Sequence, residues 1–268
     1  MTVNDLLVEC RTEGATRWLT LNRPAKRNAM SDALLDQLNA HLQAAIDDAS
    51  VRTIVLRGAG PCFSAGRDLG NVGTGTAEAV RLEDGSLEAT VDVFTDTLRL
   101  LLRSPKPTIA AVHGFAVGGG QAICLASDFV VAEAGAKFGN VEMVHGFPAA
   151  MNTALLAHHV GRRIALEIAI TGTLRSAADY QALGLVNRVC ADGSLEDAAR
   201  EFAELLNERA PWSVRRTKEL FLAAEDAPLP TAIALGSQLN QLLRLNNGVK
   251  QSASGSEGLR QDMKRDRG

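Results

Sequence analysis

Apolar positions along the chain switch repeatedly between a strand-like and a helix-like period. Arg17-Trp18-Leu19-Thr20-Leu21 reads as a strand, which Asn22-Arg23-Pro24 stops because proline cannot continue a hydrogen-bonded ladder. Ser31 is placed to cap a helix whose apolar stripe runs through Leu34, Leu38, Leu42 and Ala45/Ile46. Thr53-Ile54-Val55-Leu56-Arg57 is a continuous apolar run ended by Gly58-Ala59-Gly60-Pro61, the profile of a strand buried on both faces. A Gly/Thr-rich loop follows at Gly70 to Ala77. Val91, Phe94, Leu98 and Leu101/Leu102 then mark a helix that ends before Pro105-Lys106-Pro107. Thr108 to Val112 is again a buried strand, Gly114 to Gly120 a loop, and Gln121 to Ala126 the start of a helix.

This alternation continues to about residue 190 and implies right-handed crossovers around a largely parallel sheet, hence an α/β core over 1–190. The character then changes. Ser194-Leu195-Glu196-Asp197 resembles a capping box, and Leu195, Ala199, Phe202 and Leu205/Leu206 share one helix face. Similar patterns over Val214 to Phe221 and Ile233 to Leu243 make 191–268 a helical region. Its apolar stripes need a partner, either the core or another subunit.

Composition narrows the function. Of 268 residues, 46% are hydrophobic and 22% charged, the balance of a folded globular protein and not of a disordered one. The net charge of −3 leaves no basic excess for nucleic acid or an anionic membrane surface. Thr108 to Ala126 is the one stretch apolar enough to suggest a membrane span, but His113, Gln121 and its glycines fit buried core instead. Cys10, Cys62, Cys124 and Cys190 are far apart and form no CxxC pair, so buried free thiols are expected and no metal site. The first five residues lack a basic stretch followed by an apolar run, so the expectation is a cytoplasmic protein.

Gly58-Ala59-Gly60 follows a strand but lacks the third glycine of a dinucleotide loop, since Phe63 stands there. No Walker loop and no GxSxG elbow occurs. More informative are two glycine-marked turns after buried strands, Phe63-Ser64-Ala65-Gly66-Arg67-Asp68 and Gly118-Gly119-Gly120. On neighbouring strands, such turns can aim two backbone N–H groups at one point, and two convergent donors stabilise an oxyanion. Glu142 follows Phe138-Gly139-Asn140-Val141 in an apolar setting, given on its far side by Met143, Val144 and Phe147. It is either a solvent-facing loop carboxylate or a base with a raised pKa. His113 and His145 fit structural histidines, and His158-His159 faces outward on a helix.

Taken in order, these segments resemble the crotonase, or enoyl-CoA hydratase/isomerase, superfamily. Asn22-Arg23-Pro24 with Asn28-Ala29-Met30, Phe63 to Leu69, and Lys106 to Gly114 leading into Gly118-Gly119-Gly120 are similar to its motifs. Ser127-Asp128, Phe138-Gly139 with Glu142 and Gly146, and Gly184-Leu185-Val186 are as well. The resemblance implies a spiral of ββα turns with a helical C-terminal region that builds trimers or dimers of trimers. It implies an acyl-CoA substrate, coenzyme A being part of the substrate and not a separate cofactor. The thioester carbonyl would be held by the N–H groups of Arg67 and Gly119, with Glu142 as acid/base. Backbone near Ala65 would meet the adenine, Lys26 or Arg27 the CoA phosphates, and Lys264 or Arg265 a neighbour's CoA. Gly66, Asp68, Gly118, Gly120, Ala122 and His145 would line the same substrate site, with acyl-pocket residues from Gly70 to Ser86 and the Val91 helix. Two positions depart from the family pattern: Ala122 stands where hydratases carry a second glutamate, and Val141 replaces the proline before Glu142. With one carboxylate left, the expected reaction is double-bond isomerisation of an enoyl-CoA. Hydration, and a non-catalytic acyl-CoA-binding protein, are the alternatives.

Overall fold

The computed structural model describes residues 6–68, 70, 80–81, 87–88 and 92–245. Contacts divide the chain into two compact units, Met1–Glu208 and Arg209–Gly268. The first unit opens with strands β1 (Val8–Glu13) and β2 (Thr16–Leu21), then helix α1 (Asp32–Asp47) and β3 (Thr53–Gly58). A short pair follows, β4 (Val80–Arg81) and β5 (Leu87–Glu88), before α2 (Val93–Leu102), β6 (Thr108–Val112), β7 (Phe115–Val117) and α3 (Gly119–Ala126). Next come β8 (Phe129–Glu133), β9 (Lys137–Gly139), α4 (Ala150–His159), α5 (Arg162–Thr171), β10 (Arg175–Ser176), α6 (Ala177–Ala182), β11 (Arg188–Cys190) and α7 (Leu195–Asn207). The second unit holds α8 (Pro211–Glu225) and α9 (Leu229–Leu245).

The large sheet has the order β1-β2-β3-β6-β8-β11, parallel except for the antiparallel edge strand β1. Strand periodicity explains its central apolar runs. Ile54, Leu56, Ala110 and Val112 point into the main core with α1, α2 and α3. Val55, Ile109 and Ala111 point to the opposite face and pack on Leu195, Ala199 and Phe202 of α7. With both faces covered, no position alternates to polar. Helix α7 therefore belongs with the sheet, and the boundary between units falls after Glu208, later than the residue-190 break in sequence pattern. Glu196 of α7 also pairs with Arg57 of β3 and, at 2.6 Å, with Arg11 of β1.

A smaller sheet, β10-β9-β7, stands beside the large one, with β7 and β9 parallel. Two single bridges extend it: Ser64 pairs with Ala116, and Met30 pairs with Arg67. Each turn of the spiral thus contributes one strand to the large sheet, one pairing position to the small one, and a helix. Buried Asn28 holds this corner: its Nδ2 donates to Ala59 O and Cys62 O, both at 2.8 Å, while Oδ1 accepts from Arg23 N at 2.9 Å.

Several sequence expectations need correction. β1 carries no pattern because only Val8 of its six residues is buried. The expected loop Gly114 to Gly120 contains β7, and the helix after it starts at Gly119. Ser194 precedes α7 but makes no side-chain cap bond; the capping box is Ser176 with Asp179, at α6. Only Cys62 and Cys124 are buried, Cys10 being exposed and Cys190 half-buried. The loop expected after Gly70 falls outside the described residues. Among the described residues no helix is long and apolar enough to cross a membrane.

Candidate active site

The two glycine-marked turns meet where the small sheet is interrupted. In its parallel bridge, Arg67 is flanked by bonds to Met30: Met30 N donates to Gly66 O at 2.8 Å, and Asp68 N donates to Met30 O at 3.0 Å. Because bonds alternate sides along a strand, the Arg67 N–H points away from Met30. The next strand on that side is β7, which stops at Val117. Gly118 turns the chain with φ 54° and ψ −124°, and α3 begins. Its first residue, Gly119, has an N–H that the helix cannot pair. Among the described residues no acceptor bonds the N–H of Arg67 or Gly119. The two turns are in close contact. A Cβ on Gly66 (φ +94°) would lie 3.0 Å from Gly119 N, and one on Gly119 would lie 3.2 Å from Arg67 N and 3.3 Å from the Phe94 ring. Two unpaired donors this close, one at a helix N-terminus against an apolar wall, can hold a single oxyanion.

Ser64 sets the first turn. Its hydroxyl donates to Asn28 O at 2.8 Å and accepts from Gly66 N at 3.1 Å, while Ser64 N and O bond Phe115 O and Val117 N. The Arg67 guanidinium pairs with Asp32 at 2.8 Å and Asp92 at 3.5 Å and lies 5.7 Å from the Phe94 ring centroid.

Glu142 lies in a 3-10 turn, Val141–His145, closed by the left-handed Gly146. Its carboxylate rests against Gly118, where a Cβ would be 3.0 Å from Oε1 and 3.3 Å from Oε2. Oε1 accepts from Asn152 Nδ2 at 3.4 Å, and Oε2 is buried with no partner. Burial pushes the carboxyl above its ordinary range, only partly offset by its own backbone N–H and by Asn152. Of the apolar residues expected around it, Met143 is half-buried, while Val144 and Phe147 are 71% and 46% exposed. A half-buried, proton-avid carboxylate beside a pair of free N–H donors can move a proton next to a polarised carbonyl.

Comparison with known proteins identifies the family. The family profile for enoyl-CoA hydratase/isomerase matches residues 11–261. The chain belongs to the enoyl-CoA hydratase/isomerase family. The 2,3-dehydroadipyl-CoA hydratase of Escherichia coli strain K12 is 34% identical over 227 residues, 84% of this chain and 85% of that protein. The (E)-benzylidenesuccinyl-CoA hydratase of Thauera aromatica is 33% identical over 234 residues, 85% of this chain and 86% of that one. A crystal structure of an enoyl-CoA hydratase from Mycobacterium smegmatis superposes with a TM-score of 0.84 at 29% identity, covering 94% of this chain and 96% of that one.

Within the crotonase fold the remaining expected residues are distributed unevenly. Lys26 and Arg27 are exposed on a turn joined to the first glycine-marked turn, because Ala65 N donates to Arg27 O at 2.9 Å. Gly66, Gly118 and Gly120 pack the two turns together; a Cβ on Gly120 would meet Ser64 O at 2.8 Å. The Asp68 carboxylate is engaged by Arg23 at 2.9 Å and by Gly70 N, which hold it below the usual carboxylate range. Ala122 is 1% exposed and packs in the main core. His145 is exposed, and Lys264 lies outside the described residues. His113 bonds Gly60 O at 2.8 Å, a structural role. Sequence reasoning missed Asn152, Gln121, Asn140 and Tyr180, a buried polar group behind Glu142. The available signal was amide side chains within otherwise apolar segments.

The raised carboxyl of Glu142 has a cost. Its folded form holds a proton more tightly than the unfolded chain, so this stability is present at low pH and lost as pH rises through the folded pKa. Glu142→Gln is therefore expected to raise Tm at pH 8 by about 2–4 °C, and by less at pH 4. Calorimetry at the two pH values measures it; a lower Tm at pH 8 contradicts the burial argument.

Proposed function

We propose that this family member shifts the double bond of an enoyl-CoA, converting a 3-enoyl-CoA to a 2-enoyl-CoA. Glu142 takes the C2 proton and returns it to C4. The N–H groups of Arg67 and Gly119 carry the negative charge that grows on the thioester oxygen. Those donors act on the transition state because the charge develops only as the proton leaves. One base suffices, since the proton taken from one carbon goes back to another. No electrons are gained or lost, so the reaction calls for no cofactor beyond the CoA of its substrate. The observation that carries this reading is Glu142, whose buried Oε2 has no partner, while the residue at the position of the family's second glutamate is the apolar, buried Ala122.

Hydration is the second reading, favoured by the names of the relatives. It adds a hydroxyl and a proton, and paired carboxylates serve it by orienting water. Here both N–H bonds of the Asn152 amide are committed, to Gly118 O and Glu142, so it has no donor to spare for water.

Supplied with both substrates, the enzyme is expected to isomerise 3-enoyl-CoA faster than it hydrates 2-enoyl-CoA. Glu142→Gln should abolish the conversion while CoA-ester binding persists. Efficient hydration without isomerisation would overturn the reading.

The same proposal includes a homotrimer or a dimer of trimers. Its support is the apolar surface left open on α8 and α9, where Phe221 and Ile233 are 63% and 64% exposed. Light scattering at micromolar concentration should give at least three times 28.4 kDa, and a monomer would contradict it.

A further inference from the structure

Behind the catalytic pair lies a buried polar chain that the reaction as described does not use. Asn152 of α4 is 2% exposed, and its Nδ2 donates to two acceptors, Gly118 O at 2.9 Å and Glu142 Oε1 at 3.4 Å. Its Oδ1 accepts from Gln121 Nε2 at 3.3 Å, and Gln121 Oε1 accepts from Tyr180 OH at 2.8 Å. This chain is self-consistent in only one sense. A carbonyl oxygen cannot donate, so Gly118 O requires the NH2 end of Asn152; the oxygen end then requires the NH2 end of Gln121, whose own oxygen takes the tyrosine proton.

Gly118 O has a second significance. The Gly118 carbonyl and the Gly119 N–H belong to one planar peptide unit and point in opposite directions. A hydrogen bond that fixes the carbonyl also fixes the direction of the N–H and polarises it. We propose that Asn152 is a positioning residue that ties the base to the oxyanion donor: one amide group, held from behind by Gln121 and Tyr180, links the Gly118–Gly119 peptide to Oε1 of Glu142. Oε2 is thereby the oxygen left free for the proton. This rests on the roles proposed above for Glu142 and Gly119. Gly118 O also accepts from Ala122 N at 3.1 Å within α3, so the helix sets the carbonyl's direction and the Asn152 amide supplies the link from that carbonyl to Glu142.

Rates at such sites fall steeply when reacting groups move by an ångström, on the order of a hundredfold. No charged side chain contributes to the raised pKa of Glu142; burial, its own backbone N–H and Asn152 set it. Loss of Asn152 therefore removes a bond that favours the carboxylate.

The test is exchange of the thioester α-proton of a saturated acyl-CoA in heavy water, read as kcat, KM and the pH profile. Asn152→Ala should lower kcat by about a hundredfold with KM within about threefold, and should move the acid limb to higher pH. If Asn152→Ala does not fold, as judged by its thermal melt, Asn152→Ser retains one donor and should give a smaller loss with the same direction of shift. A folded variant with wild-type kcat, or with a reduced kcat and an unmoved acid limb, overturns the proposal, since packing alone would do no more than that. Glu142→Gln separates the two levels. If it still exchanges protons, the reading of Glu142 as base fails. If it is inactive while the Asn152 variants match wild type, only the inference about Asn152 fails.

Discussion

A parallel strand presents its N–H groups alternately to either side, and every one of them needs a partner when buried. At Arg67 one side is satisfied by Met30, and the other meets the point where β7 ends and Gly118 redirects the chain into α3. The ladder that would continue across is missing by one residue. Two N–H groups, from Arg67 and Gly119, are left facing the same small space. Much of the surrounding structure keeps that gap open and in register: Ser64 and Asn28 hold the first turn, and Gly139 O accepts from Gly118 N at 3.0 Å to hold the second. The glycines are required by closeness, because any side chain at Gly66 would press on the Gly118–Gly119 backbone.

The Glu142 carboxylate is placed by the same corner. Glu142 reaches Gly118 because β9 runs parallel to β7 and ends at Gly139, three residues before it. Covering by Gly118 and α4 leaves one oxygen without a partner, which raises its proton affinity and makes the folded state less stable at neutral pH. The site thus combines two uncompensated features, unpaired donors and a half-desolvated acid. Both are costs to the folded protein that a polarised acyl thioester would relieve.

The parts that could be read from the sequence are those whose signal is local. Ser31 caps α1, its Oγ accepting from Leu34 N at 3.4 Å, and the Leu34, Leu38, Leu42 stripe is buried as its spacing requires. β3 and β6 read as strands because α7 covers the face that would otherwise be polar. The two glycine turns and Glu142 were legible as motifs, and the family resemblance joined them. What could not be read depends on partners distant in the chain. β1 is an edge strand whose ladder to β2 makes it a strand, with no apolar alternation to announce it. Glu142 rests against Gly118 and Asn152, both distant in sequence, while its neighbours Val144 and Phe147 are exposed. Asn152, Gln121 and Tyr180 look like unrelated polar residues until the fold stacks α3, α4 and α6 around Gly118.

We propose that an interrupted strand ladder supplies the charge-stabilising donors, so that Arg67 acts through its backbone and not its guanidinium. The direct measurement is α-proton exchange of an acyl-CoA in heavy water by Arg67→Ala and Arg67→Pro, each verified as folded. Alanine keeps the N–H and loses the guanidinium's ion pairs with Asp32 and Asp92 and its contact over the Phe94 ring, so exchange should stay within about tenfold of the parent. Proline removes the donor, and exchange should fall by about a hundredfold to a thousandfold. Equal and near-complete loss in both folded variants would place the charge stabilisation on the side chain and contradict the account.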